Sequence, residues 1–187
     1  MLGCERRLPI GLVQWSELVE RRDLMAALDR IFFESSATQS FANMAERATF
    51  HDRWLGRYRE HCSNQFWVAV DREQTGVGYL AGTQRSPMGD QLCADHAYYE
   101  SEAFAGVVAR FPAHFHINVD RAWRDRGVGG ALVAAFRDAC RRAGLAGLHV
   151  VTAKGARNIA FYERQGMACQ AEAHWRGREL VLLGERL

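Results

Sequence analysis

Asp120-Arg-Ala-Trp-Arg-Asp-Arg-Gly-Val-Gly-Gly130 is the stretch of this 187-residue chain from which its fold is read. Before it, His114–Val119 alternates: Phe115, Ile117 and Val119 fall on one face, His114, His116 and Asn118 on the other. That period of two is a strand. After it, Val128, Leu132, Val133, Phe136 and Cys140 recur at helical spacing until Gly144, which predicts a helix with a glycine stop. Glycines at a helix start let a ligand approach the backbone. The first N–H groups of the helix have no internal partner, and the dipole there is positive. A diphosphate suits such a place, and Arg121, Arg124 and Arg126 add fork-shaped donors for phosphate oxygens.

Two other phosphate motifs fit poorly. A P-loop needs GxxxxGK and then Ser or Thr, and no lysine occurs here. A dinucleotide fingerprint needs GxGxxG directly after a strand and an acidic residue ~20 positions on. In this chain seven residues separate Val119 from Gly127, Leu132 replaces the last glycine, and Leu145–Val151 contains no acid. A nucleotide-dependent oxidoreductase is therefore disfavoured.

Outward from the centre, Leu148–Thr152 reads as another strand, Asn158–Arg164 as a short helix closed by Gly166, and Leu180–Glu185 as a final strand. Upstream, helical spacing runs over about residues 16–34, starting at Ser16 and Glu17. Ser40 would cap a second helix over about 41–61, with Phe41, Met44, Ala48, Leu55 and Tyr58 on its face. Phe66–Val70 and Val77–Ala81 form two apolar runs around the polar, Gly-ended Asp71–Gly76, the pattern of a hairpin. Residues 84–106 read as a loop followed by irregular helix. The order of elements is an α/β (α+β) pattern, and nothing in residues 1–187 marks a second domain.

The formal net charge is +2, with 48% hydrophobic residues. That balance gives no general attraction to nucleic acid or to an anionic membrane. Apolar runs such as Phe66–Val70 are far short of the ~20 residues of a spanning helix. Residues 1–7 show no apolar signal region. The five cysteines, Cys4, Cys62, Cys93, Cys140 and Cys169, are odd in number, far apart and without CxxC. They suit reduced thiols in a cytoplasm rather than a disulfide framework or a zinc site. Lys154 is the only lysine among 24 basic residues. Most of the arginines are scattered; only those of the central stretch gather at one anion site.

Arg124-Asp-Arg-Gly127-Val-Gly129 resembles the Arg/Gln-x-x-Gly-x-Gly/Ala signature of the GNAT superfamily, the acetyl-CoA-dependent N-acetyltransferases. Phe161-Tyr162-Glu163-Arg-Gln-Gly166-Met is similar to that family's aromatic-Tyr-Glu-x-x-Gly-Phe segment, 33 residues after Gly129. The match covers about residues 112–170. Pro112-Ala-His-Phe-His-Ile-Asn-Val-Asp120 also resembles the acetyltransferase-like subgroup that includes the C-terminal domain of O-GlcNAcase. Four positions depart from the pattern. Gly155 stands where Asn is frequent, Asn158 where Ala is frequent, Met167 where Phe is usual, and Gly130 where Ser, Arg or Lys is common.

The resemblance implies a twisted mixed sheet of six or seven strands flanked by about four helices. Its parallel fourth and fifth strands splay apart, and CoA enters between them. It implies acetyl transfer from acetyl-CoA to a primary amine of a small molecule or peptide, without a metal. The cofactor would meet Ile117, Asn118, Val119, Arg124, Asp125, Arg126, Gly127, Val128, Gly129, Gly130, Asn158 and Phe161. Tyr162 is the expected acid toward the CoA sulfur, and the two N-terminal helices are expected to border the acceptor. Homodimers are common in the family. A CoA-binding regulatory module without efficient transfer is the alternative on the same fold.

For the base, His116 lies on the polar face of the strand, and histidine ordinarily titrates near neutrality. Asp95, His96, Glu100 and Glu102 are alternatives, and Asp120 is expected to order its turn instead. His114 and His116 share a face but lack a visible third ligand, too little for a metal site.

Overall fold

The alternating residues of the central strand lie in β4 (Ala113–Val119), and different helices cover its two faces. The computed structural model describes residues 9–18 and 22–187. One sheet contains β1 (Gly11–Gln14), β2 (Phe66–Val70), β3 (Gly76–Thr83), β4, β5 (Gly147–Ala153), β6 (Ala168–Trp175) and β7 (Arg178–Arg186). The strand order is β1-β2-β3-β4-β5-β7-β6. Every neighbouring pair is antiparallel except β4 and β5.

The helices are α1 (Arg22–Ser35), α2 (Met44–His51), α3 (Arg57–His61), α4 (Glu102–Val108), α5 (Val128–Arg142) and α6 (Ile159–Arg164). A π turn, Asp52–Gly56, joins α2 to α3. Counting that pair as one, the described residues hold five helices, one more than expected.

Phe115 faces Val128, Leu132 and Phe136 of α5 in one apolar cluster. On the opposite face Tyr79 of β3 packs with Leu24, Leu28, Ile31 and Phe32 of α1 and with Tyr58 of α3. Under α4, Phe104 and Val108 meet Phe111 and Leu182. Gly82 of β3 is a close-approach glycine: a Cβ there would lie 2.5 Å from Phe136 Cε2. Its bare backbone lets α5 settle on the sheet.

The N-terminal expectations need correction. Trp15–Glu17 is a single 3-10 turn and Leu18 is extended, so the expected helix does not run through residues 16–18; among the described residues α1 spans Arg22–Ser35. Glu17 turns its carboxylate back to the Gln14 N–H, which closes a local turn. Positions 19–21 of the expected helix, together with residues 1–8 and Cys4, lie outside the described residues. The second helix is capped by Asn43, not Ser40: Asn43 Oδ1 accepts the Glu46 N–H at 2.9 Å, and Glu46 accepts the Ala42 N–H at 2.6 Å. This reciprocal pattern resembles a capping box. It starts the helix three residues later than expected and leaves Met44 74% exposed. The edge strands β1 and β6 were not anticipated. β1 has four residues, and a register shift between Cys169 and Ala171 breaks the period of two in β6.

Candidate active site

Backbone direction in β4 defines the site. The Asp120 N–H donates to the Val77 carbonyl at 2.9 Å. In an antiparallel ladder such pairs recur at every second residue. His114, His116 and Asn118 therefore turn their backbone groups toward β3, while Phe115, Ile117 and Val119 turn theirs toward β5. Yet β5 pairs with β4 only at Ala113↔Leu148 and His114↔His149. Beyond those residues the parallel strands diverge, and the N–H groups of Ile117 and Val119 face the gap.

The loop after β4 completes that edge. Asp120 caps its own turn through the Ala122 N–H at 2.9 Å and pairs with Arg30 at 2.6 Å. Asp125 and Gly127 are both left-handed, with φ of 58° and 85°. Gly127 is the N-cap of α5 and its carbonyl accepts the Ala131 N–H, so the N–H groups of Val128, Gly129 and Gly130 have no partner within the helix. A curl of left-handed residues leading into a helix start is an anion-binding concavity, which fits a diphosphate.

The arginines divide their work. Arg124 donates Nε to the Val119 carbonyl at 3.1 Å and Nη2 to Ser35 Oγ at 3.2 Å. It ties the loop to β4 and α1. Arg126 is exposed, its guanidinium 5.6 Å from the Trp123 ring centre, and Arg121 is exposed too. These two remain for an anion. Gly129 has a use that its sequence position did not reveal: a Cβ would lie 3.0 Å from Phe161 Cε2 and Cζ. The bare α-carbon makes room for Phe161, and thereby for α6.

Tyr162 stands between the diverging strands. Its ring contacts Phe115 of β4 with centroids 6.2 Å apart. Its hydroxyl is hydrogen-bonded to the Asn158 side chain, and Asn158 Oδ1 accepts from Thr152 Oγ1 of β5 at 3.0 Å. Burial pushes the phenol pKa above its ordinary value, against the opposing hydrogen bond from Asn158, so the hydroxyl keeps its proton. Phe161 and Ile117 both approach Gly129, and Asn158 joins Tyr162 to Thr152 of β5. Asn118 faces away from the gap: its backbone pairs with Tyr79 and its Nδ2 donates to Tyr79 Oη at 2.7 Å.

His116 lies on the other face of β4, ringed by aromatic side chains. Its ring centroid is 5.1 Å from that of Tyr58 and 6.0 Å from those of Tyr79 and Trp54. The Trp54 carbonyl, in the π turn, accepts a hydrogen bond from the ring. Nε2 is buried without a partner. Nδ1 is therefore the donor, and Nε2 keeps its lone pair. The ring does not titrate near neutrality. Burial, then His96, push its pKa down to about 3, against the Trp54 carbonyl.

The other candidate bases differ. Asp95 is held by Arg53 at 2.6 Å and Arg57 at 2.8 Å. His96 is buried against Trp54, centroids 4.5 Å apart, with both ring nitrogens unpartnered. Glu100 and Glu102 are exposed. His114 is occupied by Cys93 Sγ at 3.2 Å and Tyr58 Oη at 3.4 Å. Among the described residues no group of three His, Cys, Asp or Glu could hold a metal ion. Trp54, Tyr58 and Tyr79 were absent from the sequence-derived site. Only Tyr79 carried a usable signal, a hydroxyl inside an otherwise apolar strand.

Residues 24–167 match the model of the acetyltransferase (GNAT) family. The chain belongs to the GNAT family. Solved structures agree on the GNAT fold. SsHAT is 22% identical with a TM-score of 0.70, covering 95% of this chain and 98% of its own. A GNAT superfamily phosphinothricin acetyltransferase from Sinorhizobium meliloti, in complex with AcCoA, is 18% identical with a TM-score of 0.59, covering 96% and 89%. The NatC complex bound to Gag peptide and CoA gives 12% identity and a TM-score of 0.61, covering 95% and 98%. Among curated proteins, none matches.

Proposed function

We propose that this GNAT protein transfers the acetyl group of acetyl-CoA to a primary amine of a small molecule or peptide. The observation that carries this reading is the open edge of β4: the Ile117 and Val119 N–H groups face the gap beside the unpartnered N–H groups of residues 128–130. Neighbouring structures with AcCoA, or with CoA and a peptide, support both the co-substrate and the acceptor class. Acetyl-CoA bound there would supply an activated acyl carbon. The residues for it would be Ile117 and Val119 along the arm, Val128, Gly129 and Gly130 at the diphosphate, and Arg126 beside them.

The chain's own groups divide the chemistry. A β4 N–H directed at the gap polarises the acyl oxygen, the preorganised stabilisation that acyl transfer requires. His116 Nε2, unprotonated and unpartnered, accepts the amine proton directly or through water. Tyr162 donates its hydroxyl proton toward the departing sulfur. Isothermal titration with CoA and a turnover assay with acetyl-CoA and an amine panel test the proposal. It predicts saturable binding and amine-dependent thiol release. No binding at near-physiological salt contradicts it, whereas binding without turnover would support the regulatory-module alternative.

A further inference from the structure

Between α1 and α2 lies a groove that the proposed transfer does not use. Its wider part has a volume of about 470 Å³ and adjoins a second hollow of about 280 Å³; Phe33, Met44 and Arg47 line both. The wider part is in the size range of small-molecule sites. Its apolar surface comes from Phe33, Phe41 and Met44. The two rings pack edge to face with centroids 6.1 Å apart, and Met44 is 74% exposed. The connection over residues 36–42 is tied down at the rim. Gln39 Nε2 donates to the Phe33 carbonyl at 3.2 Å, and the Thr38 N–H donates to Ser36 Oγ at 3.1 Å. The groove is thereby pre-organised, which lowers the cost of binding.

One charge in the groove lacks an opposite. Asp29, in the narrower hollow, is held by Arg59 at 3.0 Å and His51 at 2.8 Å. Arg47 lies with Cζ 3.6 Å from the Phe33 ring centre, and among the described residues no carboxylate pairs with it. A guanidinium stacked on a ring keeps its edge donors free, and that planar fork matches a carboxylate. A phosphate would find fewer partners. The start of α2 is already capped, with Asn43 Oδ1 on the Glu46 N–H and the Glu46 carboxylate on the Ala42 N–H.

We infer that this groove binds a small amphipathic carboxylate, its anion on Arg47 and its apolar part on Phe33, Phe41 and Met44. The site is separate from the cofactor edge and does not depend on acetyl transfer. Asp29 and Phe33 of α1 line the groove, whereas α1 meets the cofactor loop through Arg30 on Asp120 and Ser35 on Arg124. The protein should be titrated with 3-phenylpropionate, 3-phenylpropanol and 3-phenylpropylamine, which share ring and chain but differ in charge. Amide shifts of 15N-labelled protein are the readout, without and with saturating CoA. The carboxylate should saturate, shift the Phe33, Met44 and Arg47 amides, and bind equally well with CoA present. It should bind about tenfold more tightly than the alcohol, as a charge-assisted hydrogen bond predicts, and the amine should not saturate. Arg47→Gln should lose that advantage, and Met44→Ser should weaken carboxylate and alcohol alike; both positions are exposed, so the fold should persist. Alcohol or amine binding as tight as the carboxylate, unchanged affinity in Arg47→Gln, displacement by CoA, or no saturation at millimolar concentration overturns the proposal.

Discussion

Tyr162 and His116 occupy opposite faces of β4, and each makes a separate prediction. Tyr162→Phe removes the hydroxyl but keeps the ring on Phe115. It should cut the single-turnover rate about a hundredfold, within the usual range for a lost acid, while CoA affinity holds. An unchanged single-turnover rate would reject the acid role. His116 was legible in the sequence as a polar residue on an alternating strand. Its environment was not, because Trp54 reaches it from more than sixty positions away, and its carbonyl is presented by a π turn that no hydrophobic pattern announces. Tyr162 and Phe161 were legible through their motif. A second use of Gly129 was not legible, because the ring that needs its missing Cβ comes from another helix.

At the scale of elements, β4, α5 and β5 were legible because each carries a strong period: two in the strand, helical in α5. The edge strand β6 was not, since its bulge interrupts the alternation just where small residues already weaken it. The start of α2 was missed because Asn43 and Ser40 are both good caps, and only the return contact from Glu46 to Ala42 distinguishes them. The seat of α5 on the sheet yields a stability prediction. Gly82→Ala places a methyl 2.5 Å from the fully buried Phe136. Denaturant unfolding should show a loss of about 1–3 kcal/mol, the cost of overpacking. A midpoint equal to wild type would show that α5 is not held there. Gly129→Val should push Phe161 off the start of α5 and abolish CoA binding, read by titration on protein whose circular dichroism is unchanged. Undiminished affinity would detach α6 from the cofactor site.

At the scale of the molecule, the fold buries histidines in neutral form. His96 and His149 are 3% and 0% exposed, and burial lowers both pKa values from 6.5 to about 4. His149 bonds the Phe111 carbonyl and Tyr99 Oη; burial keeps it neutral against that carbonyl, which favours the charged ring, and His114 is pushed down by burial and by His149. The unfolded chain protonates these rings first, near pH 6.5. Their contribution to stability is complete above that pH and is lost as pH falls toward about 4. Each fully affected ring costs about 1.4 kcal/mol per pH unit. Calorimetry should find Tm falling between pH 7 and 5, before most carboxylates titrate; a constant Tm over that range would mean the rings are not kept neutral. The central claim concerns the edge where β4 leaves β5. Amide chemical shifts of 15N-labelled protein, followed as CoA is added, read that edge atom by atom. Ile117, Val119, Val128, Gly129 and Gly130 should shift together and saturate, with Asn118, bonded to β3, moving less. Shifts absent from those five amides, or confined to the groove of Phe33, Met44 and Arg47 between α1 and α2, would contradict the account.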